Sequence, residues 1–391
     1  GIFFFVISII TLFFIPLVPI ILASALGTLI AYLASKFRYR NFFQILFSII
    51  MFIGIMFLSS STGGSSQKLA NISRALTEQI NASYPLAALY SKAVIRNDLV
   101  AMLLFIGISV LAFLLYTLVI AKCFKWLNSK MLTGTTGTKF MMRELKTSSP
   151  FFALFRKEIK RFFTTPVYVL NTGFGVVLLT LGALALLFVT SPLADLLNLH
   201  FQIEELLAMP QLAGMLGGFG PIFVSFFIIM SSTTMASISL EGKQLWILKS
   251  LPVSTKTIFH AKIAVNLAIL APILLDVLII SYVLKYELIQ GIIILLMAVV
   301  YSIFISMFGL VVNLRFPNFN WTSETVVVKQ SAASMISVFT GMGIIFVQYA
   351  IVFVIPDKTL AYFICIGLIT VADCVLYRIL QTYGVKRFLE L

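Results

Sequence analysis

Apolar residues in this chain come in blocks of about twenty, separated by short polar or charged stretches. A block of that length crosses the roughly 30 Å hydrocarbon core of a bilayer as an α-helix. The pattern predicts ten spans, at about 2–14, 17–35, 42–58, 99–120, 167–189, 216–239, 263–284, 288–312, 332–355 and 360–380. Pro16 and Pro19 predict a tight turn between the first two spans. The predicted fold class is therefore all-α, a polytopic transmembrane helical bundle.

Composition agrees with that class. Of the 391 residues, 60% are hydrophobic and 11% are charged, whereas soluble domains are near half apolar and a quarter charged. The formal net charge of +14 would suit a nucleic-acid ligand. However, the basic residues fall in loops between spans, as the positive-inside rule describes, so no nucleic-acid partner is expected. Cys123, Cys365 and Cys374 have neither paired nor metal-ligand spacing, so no metal site is expected.

Charge also predicts the orientation. If the basic 36–40 loop is cytoplasmic, counting spans puts the 122–161, 241–262 and 315–329 loops and the C-terminus on the same side. The 191–215 loop has three acids and no Lys or Arg, and it falls outside. The 59–97 segment also falls outside despite four basic residues, and its amphipathic stretch 67–80 predicts a surface helix.

A weak internal repeat suggests two halves. Residues 27–41 and 309–320 both read as Gly, an aliphatic run and a basic-aromatic-Asn exit. The match predicts that spans one to four repeat spans seven to ten, so the first half lacks two spans and the complete protein has two six-span halves. The chain begins with Gly1 inside an apolar run, and we expect it to be N-terminally incomplete. The predicted parts are 1–121 (incomplete first half, external loop 59–97), 122–148 (basic cytoplasmic linker) and 149–391 (second half).

Catalytic and nucleotide-binding motifs are not evident. Gly134 to Lys139 is glycine-rich, but it lacks the Gly-Lys-Ser/Thr of a P-loop and follows no strand. The two histidines, His200 and His260, lie in predicted loops and give little support to metal or general-base chemistry.

Polar side chains within the predicted spans include two aspartates and two asparagines. Asp276 and Asp373 are open to two interpretations: a substrate or proton path, or a helix–helix hydrogen bond. Asn171 and Asn266 predict interhelical polar contacts.

Two amphipathic segments flank the first spans of the second half. Residues 149–166 place aromatic and aliphatic side chains mostly on one side and Arg156, Lys157, Lys160 and Arg161 opposite. This is typical of a helix in the membrane interface on anionic headgroups, whose simplest role is anchoring.

The 241–262 segment alternates apolar residues with lysines. Pro252 is expected to end a first short helix, and Ser254 is expected to cap the next helix at its N-terminus. Trp246, Ile247 and Leu248 together favour a helix lying against another protein, with an interfacial aromatic as the simpler alternative.

Phe155-Arg-Lys-Glu-Ile-Lys-Arg-Phe-Phe163 resembles the N-terminal elbow of ABC-2 type ABC transporter permeases. The stretch from Glu241 to Ser254, Glu-Gly-Lys-Gln-Leu-Trp-Ile-Leu-Lys-Ser-Leu-Pro-Val-Ser, resembles their coupling helix. The resemblance covers 149–391, is weaker for the incomplete half before it, and is greatest to the large two-half exporter permeases of bacteria.

The resemblance implies a permease subunit of an ATP-driven exporter in the bacterial plasma membrane. It would assemble with two copies of a separate cytosolic ABC ATPase, which holds ATP and Mg, so this chain would be neither an enzyme nor a cofactor carrier. Coupling to the ATPase would fall to Glu241, Lys243, Leu245, Trp246, Leu248, Leu251 and Pro252, and the interfacial elbow, in contact with membrane lipids, to Phe155, Lys157, Glu158 and Arg161. The coupling helix of the first half would precede Gly1.

Two other classes stay open. A secondary transporter would use Asp276 or Asp373 as an ion or proton site. A membrane-embedded enzyme or assembly factor is less favoured, because no catalytic cluster is evident.

Overall fold

A computed structural model of the chain describes residues 2–35, 43–51, 85–132, 148–189 and 210–391, and every regular element in these ranges is helical. Seven helices there are long and apolar enough to cross a membrane, or eight if a bent pair counts as one span. The chain divides into two compact units, Gly1–Met142 and Arg143–Leu391. The protein is therefore a helical bundle with several candidate membrane spans.

The described ranges of the first unit contain four helices and a helical stretch at 43–51. The helices are α1 (Ile2–Leu12), α2 (Leu17–Ser35), α3 (Pro85–Ile95) and α4 (Leu99–Leu132). Thr11 is buried and donates from its hydroxyl to the carbonyl of Ile7 at 2.8 Å, which satisfies a polar group inside an apolar helix.

Two boundaries in the first unit differ from the sequence prediction. Residues Ile7–Leu33 qualify as one span, because hydrogen-bonded turns continue through the predicted break: Leu17 N donates to Phe14 O and Ile20 N to Pro16 O. Pro16 and Pro19 lie just before and within the first turn of α2, where a backbone donor is not needed. In addition, α4 continues to Leu132, into the predicted 122–148 linker.

Several predictions fall outside the described residues. They concern the surface helix at 67–80, the end of the third span, the basic exit at 36–42, most of the linker and most of the 191–215 loop.

The second unit contains thirteen helices and two short irregular helical segments in its described ranges. The helices are α5 (Pro150–Thr164), α6 (Pro166–Thr172), α7 (Phe174–Val189), α8 (Pro210–Met230), α9 (Thr234–Ser237), α10 (Leu245–Ser250), α11 (Thr255–Leu270), α12 (Pro272–Val283), α13 (Leu288–Arg315), α14 (Glu324–Lys329), α15 (Ala332–Val354), α16 (Lys358–Ile379) and α17 (Val385–Glu390). A 3₁₀ turn, Ser239–Gln244, precedes α10, and a π-helical turn, Leu380–Gly384, precedes α17.

Each of the six spans predicted for 149–391 has a counterpart among the candidate spans. The first is bent by 58° between α6 and α7. The bend lies at Gly173, where a Cβ would come within 2.8 Å of the carbonyl oxygen of Val169. Helix α13 lies at the centre of the core, with Met297, Ile305 and Leu310 fully buried.

The chain leaves helical geometry after α8, in a buried and polar stretch that leads to the 3₁₀ turn. Buried backbone groups need partners, and in a membrane only protein groups can supply them. Asn266 of α11 accepts from the backbone N–H of Thr233 at 2.6 Å and donates to Ser306 of α13 at 2.8 Å. Asn313 of α13 accepts from the N–H groups of Ile238 and Ser239. The predicted interhelical contact of Asn266 is thus confirmed.

Candidate functional site

Five charged side chains meet where α5, the 3₁₀ turn and α11 come together. We call Lys157, Glu158, Arg161, Glu241 and Lys262 the ion cluster. Helix α5 supplies the first three residues, because positions i, i+1 and i+4 lie on neighbouring parts of one helical face. The 3₁₀ turn supplies Glu241 and α11 supplies Lys262. The cluster therefore joins the predicted elbow to both ends of the 241–262 segment.

Glu241 is the most highly connected member. Its Oε1 accepts from Lys157 Nζ at 2.9 Å and from Lys262 Nζ at 3.0 Å. Its Oε2 accepts from Arg161 Nη2 at 2.9 Å and from Lys157 Nζ at 2.9 Å. Three cations thus contact one buried carboxylate, with the short distances typical of charge-assisted hydrogen bonds.

Lys262 uses all three of its ammonium protons. Its Nζ donates to Glu158 Oε1 at 2.8 Å, to the carbonyl oxygen of Ser237 at 2.9 Å and to Glu241 Oε1 at 3.0 Å. Only 1% of the side chain is exposed. A buried ammonium without such partners would be strongly destabilising, so the position of Lys262 depends on both glutamates.

Arg161 is the third cation of the ion cluster. Burial by itself would lower its pKa, but the hydrogen bond to Glu241 and the charges of Glu158 and Glu241 outweigh burial and raise the pKa of Arg161. The guanidinium is thus a permanent cation, and the ion cluster contains three positive and two negative side chains.

A glycine shapes the 3₁₀ turn that carries Glu241. Gly242 has φ +56° and ψ −140°, a backbone conformation that residues other than glycine rarely adopt. A Cβ there would come within 3.3 Å of the Trp321 ring. Trp321 Nε1 donates to the carbonyl oxygen of Ser239 at 2.7 Å, which attaches the turn to the segment between α13 and α14.

The short helix α10 presents an apolar outer face. Trp246 is 66% exposed and Ile247 is 44% exposed, and Leu251 directly after the helix is 40% exposed. Leu245 and Leu248 are buried and pack into the core on the opposite side. We call Trp246, Ile247 and Leu251 the exposed face.

The structure places the seven residues assigned to coupling in two groups. Glu241, Leu245 and Leu248 point into the protein, whereas Lys243, Trp246, Leu251 and Pro252 are exposed.

The end of the segment follows the sequence prediction. Helix α10 ends before Pro252, and Ser254 caps α11 by accepting from the N–H of Thr257 at 3.2 Å.

Helix α5 divides its residues differently from the simple two-sided pattern. Leu154, Glu158 and Phe162 are buried, while Phe152 and Phe163 are exposed. Arg156 and Lys160 are exposed near those two aromatic rings along the helix, whereas Lys157 and Arg161 turn inward to the ion cluster. Phe155 of the predicted elbow is half-buried and lies parallel to Phe151, with 6.3 Å between ring centroids.

The two intramembrane aspartates have different surroundings. Asp276 of α12 accepts a hydrogen bond from the hydroxyl of Thr180 of α7 at 2.7 Å. Of the two interpretations that the sequence left open for Asp276, this contact matches the helix–helix hydrogen bond. Asp373 of α16 is also buried, but none of the residues that the structure describes donates a hydrogen bond to its Oδ1. Asn171 donates to the carbonyl oxygen of Val328 in α14 at 3.3 Å.

Sequence reasoning missed four residues that hold this region: Gly242, Lys262, Asn313 and Trp321. Lys262 marked only the end of a loop, although a lysine after Ile258 and Phe259, at the start of an apolar block, was a signal for a buried ionic partner. Asn313 near the end of an apolar span carried the same kind of signal as Asn266.

Within the described ranges, no three His, Cys, Asp or Glu side chains come together as a metal site requires. In comparisons with known proteins, no family model, no curated protein and no solved structure matches this chain.

Proposed function

We propose that the chain is the transmembrane permease subunit of an ATP-driven ABC exporter of the ABC-2 type. In this proposal the 241–262 segment lies on the cytoplasmic side and docks on a separate cytosolic ATPase through the exposed face. The membrane is a bacterial plasma membrane, and two ATPase copies serve the complete transporter.

The observation that carries the proposal is the ion cluster, which fixes the turn that leads into α10 and the exposed face. A docking element transmits force only if it is rigidly attached to the parts that must move. Glu241 attaches the turn before α10 to α5 and α11 at once, with distances of 2.9 to 3.0 Å. A push on α10 would therefore reach both α5, which precedes the first span of this unit, and α11, which continues into another.

The exposed side chains of α10 support the same interpretation. The six-residue helix α10 packs against the core through Leu245 and Leu248. Its own packing therefore does not require the exposed side chains of Trp246 and Ile247. Exposed aromatic and aliphatic anchors are typical of binding surfaces.

The test is ATP hydrolysis by material that copurifies with the tagged full-length protein in native-like lipid. We expect vanadate-sensitive hydrolysis, and we expect the double variant Trp246→Glu, Ile247→Glu to lose most of it. These positions are exposed, so the variant should fold, whereas a charge at Leu248 would disrupt the core because only 3% of that residue is exposed.

A matched control is Leu288→Glu, at the start of α13, where the side chain is 82% exposed. We expect this variant to keep its hydrolysis. Hydrolysis that is absent from the wild type, or equal in all three proteins, would contradict the proposal.

One observation favours a second candidate, a secondary transporter. The buried Asp373 lacks a hydrogen-bond donor to Oδ1 in the described part of the chain, and intramembrane carboxylates commonly bind ions or protons. Transport that survives ATP depletion, stops when the ion gradient is dissipated and is abolished by Asp373→Asn would support it, with Asp276→Asn as the comparison.

A further inference from the structure

The helix α17 lies directly beside the 241–262 segment. Lys249 Nζ donates to the carbonyl oxygen of Leu389 at 3.0 Å. Phe388 is buried and packs edge-on against Phe259 of α11, with 5.6 Å between ring centroids. His260 of α11 stacks on Tyr377 of α16. Helix α17 is thus bonded to α10 through Lys249 and packed against α11 through Phe259.

Helix α17 and the π-helical turn before it also have exposed side chains. Leu389 is 63% exposed and Tyr383, just before the helix, is 41% exposed, with the exposed Lys386 between them in sequence. Exposed aromatic and aliphatic side chains bordered by charged residues are typical of a protein-binding surface.

Charge indicates what kind of surface would cover this region. Lys243, Lys249, Lys386 and Arg387 line the two segments, and the one acid among them, Glu390, is paired with Arg387 at 3.4 Å. Glu241 adds no outward charge, because it is buried in the ion cluster. A partner with acidic side chains around an apolar groove would complement this region.

The small number of exposed positions in the loop also indicates that the docking surface has a second element. Seven positions are exposed between Lys243 and Pro252, whereas a stable interface uses roughly 20–30 residues a side. The loop alone is therefore too small, and α17 is the adjoining element that Lys249 fixes beside it.

We infer that α17 and the exposed face form one composite docking surface for the cytosolic ATPase, with α17 contacting an acidic rim beside the groove that receives α10. This inference rests on the proposed function and adds a second contact element to it.

The test is photo-crosslinking in native membranes from the full-length protein. A benzophenone amino acid replaces Trp246 or Leu389, and it replaces Leu288 in the control. Asn313 of α13 is bonded to the backbone of Ile238 and Ser239, where the turn that leads into α10 begins. Leu288 lies roughly 38 Å along α13 from Asn313, at 1.5 Å per residue, and is therefore far from that turn. ATP-binding products are detected with radiolabelled azido-ATP and identified by mass spectrometry. We expect positions 246 and 389 to crosslink to the same ATP-binding chain and position 288 not to do so.

The outcomes separate the two claims. Crosslinking to an ATP-binding chain from 246 but not from 389 would overturn the composite surface and leave the proposed function standing. No such product from either position would overturn both.

A charge-reversal pair gives an independent measurement. We expect Lys386→Glu to weaken binding of the crosslinked ATPase by roughly tenfold at low salt, and by less at high salt, because rim charges act through screened attraction. The control Lys285→Glu changes an exposed lysine between α12 and α13 and should have no effect. Equal affinities for the two variants would contradict the inference.

Discussion

Substitution of Glu241 by Gln removes the central carboxylate of the ion cluster and keeps the shape of the side chain. Lys157, Arg161 and Lys262 would then share Glu158 as their carboxylate partner. Lys157 and Arg161 lie farther from Glu158, at 3.7 and 3.8 Å, and Lys262 already uses that carboxylate at 2.8 Å. The variant therefore leaves excess positive charge in a largely buried place.

The size of the effect follows from burial. Removing one partner of a buried ion pair costs about 3–5 kcal/mol. Lys157 and Arg161 have side chains 39% and 23% exposed, so water screens part of their charge. We therefore expect the free energy of unfolding of Glu241→Gln to fall by about 3 kcal/mol, the lower end of that range.

The same substitution at Glu390 is the matched control. Glu390 pairs with Arg387 at 3.4 Å, and its side chain is 49% exposed. An exposed pair contributes less than about 1 kcal/mol. The difference between the two variants separates the effect of burial from the effect of losing a glutamate.

The assay is reversible unfolding in mixed micelles, followed by tryptophan fluorescence. The chain has three tryptophans, and a Trp126→Phe, Trp246→Phe background leaves Trp321, which lies against Gly242 next to Glu241. Adding Lys262→Met to Glu241→Gln removes one of the three cations that would otherwise share Glu158. We expect the double variant to lose less stability than the sum of the two single variants.

A loss of unfolding free energy for Glu241→Gln no greater than that for Glu390→Gln would mean that the ion cluster does not stabilise the fold. Strict additivity of the double variant would likewise show that Glu241 and Lys262 do not stabilise each other.

Three further substitutions test the contacts around the turn. Gly242→Ala should destabilise by about 1–3 kcal/mol because of its positive φ, whereas Gly367→Ala, a helical glycine with open space at its Cβ position, should be neutral or slightly stabilising; equal effects would contradict the strain argument. Asn266→Leu should lower the free energy of unfolding by about 1–3 kcal/mol in the same assay, because it leaves the buried N–H of Thr233 unpaired. A neutral result would mean that water accepts the hydrogen bond from that N–H in place of the Asn266 side chain. Trp321→Phe, studied with Trp246 retained as the reporter, should cost about 1 kcal/mol through the lost bond to Ser239, and no loss would show that the ring alone holds the turn.

Much of the second unit could be predicted from sequence because its signals are local. Helix α5 begins at Pro150 and α6 begins at Pro166, and proline is favoured at the first position of a helix. Ser254 caps α11 through a group three residues away. The six apolar blocks match candidate spans because hydrophobic length is a property of each segment alone.

The candidate site was predictable only in part. The sequence marked 149–166 and 241–262 as two unusual segments, but not that they are bonded to each other. Lys262 and Glu158 are 104 positions apart, and Glu241 and Lys157 are 84 apart. Such pairs depend on how helices pack, and no local pattern encodes them.

Hydrophobic length, helix caps and the amphipathy of α5 and α10 were determined by the sequence alone, because each depends on neighbouring residues. Tertiary structure decided which side of α10 faces outward, so that Leu248 is core and Trp246 is surface. It also decided that Glu241 serves the ion cluster rather than the outer surface. The physical reason is that burying a charge is tolerable only where opposite charges converge, and that convergence exists only in three dimensions.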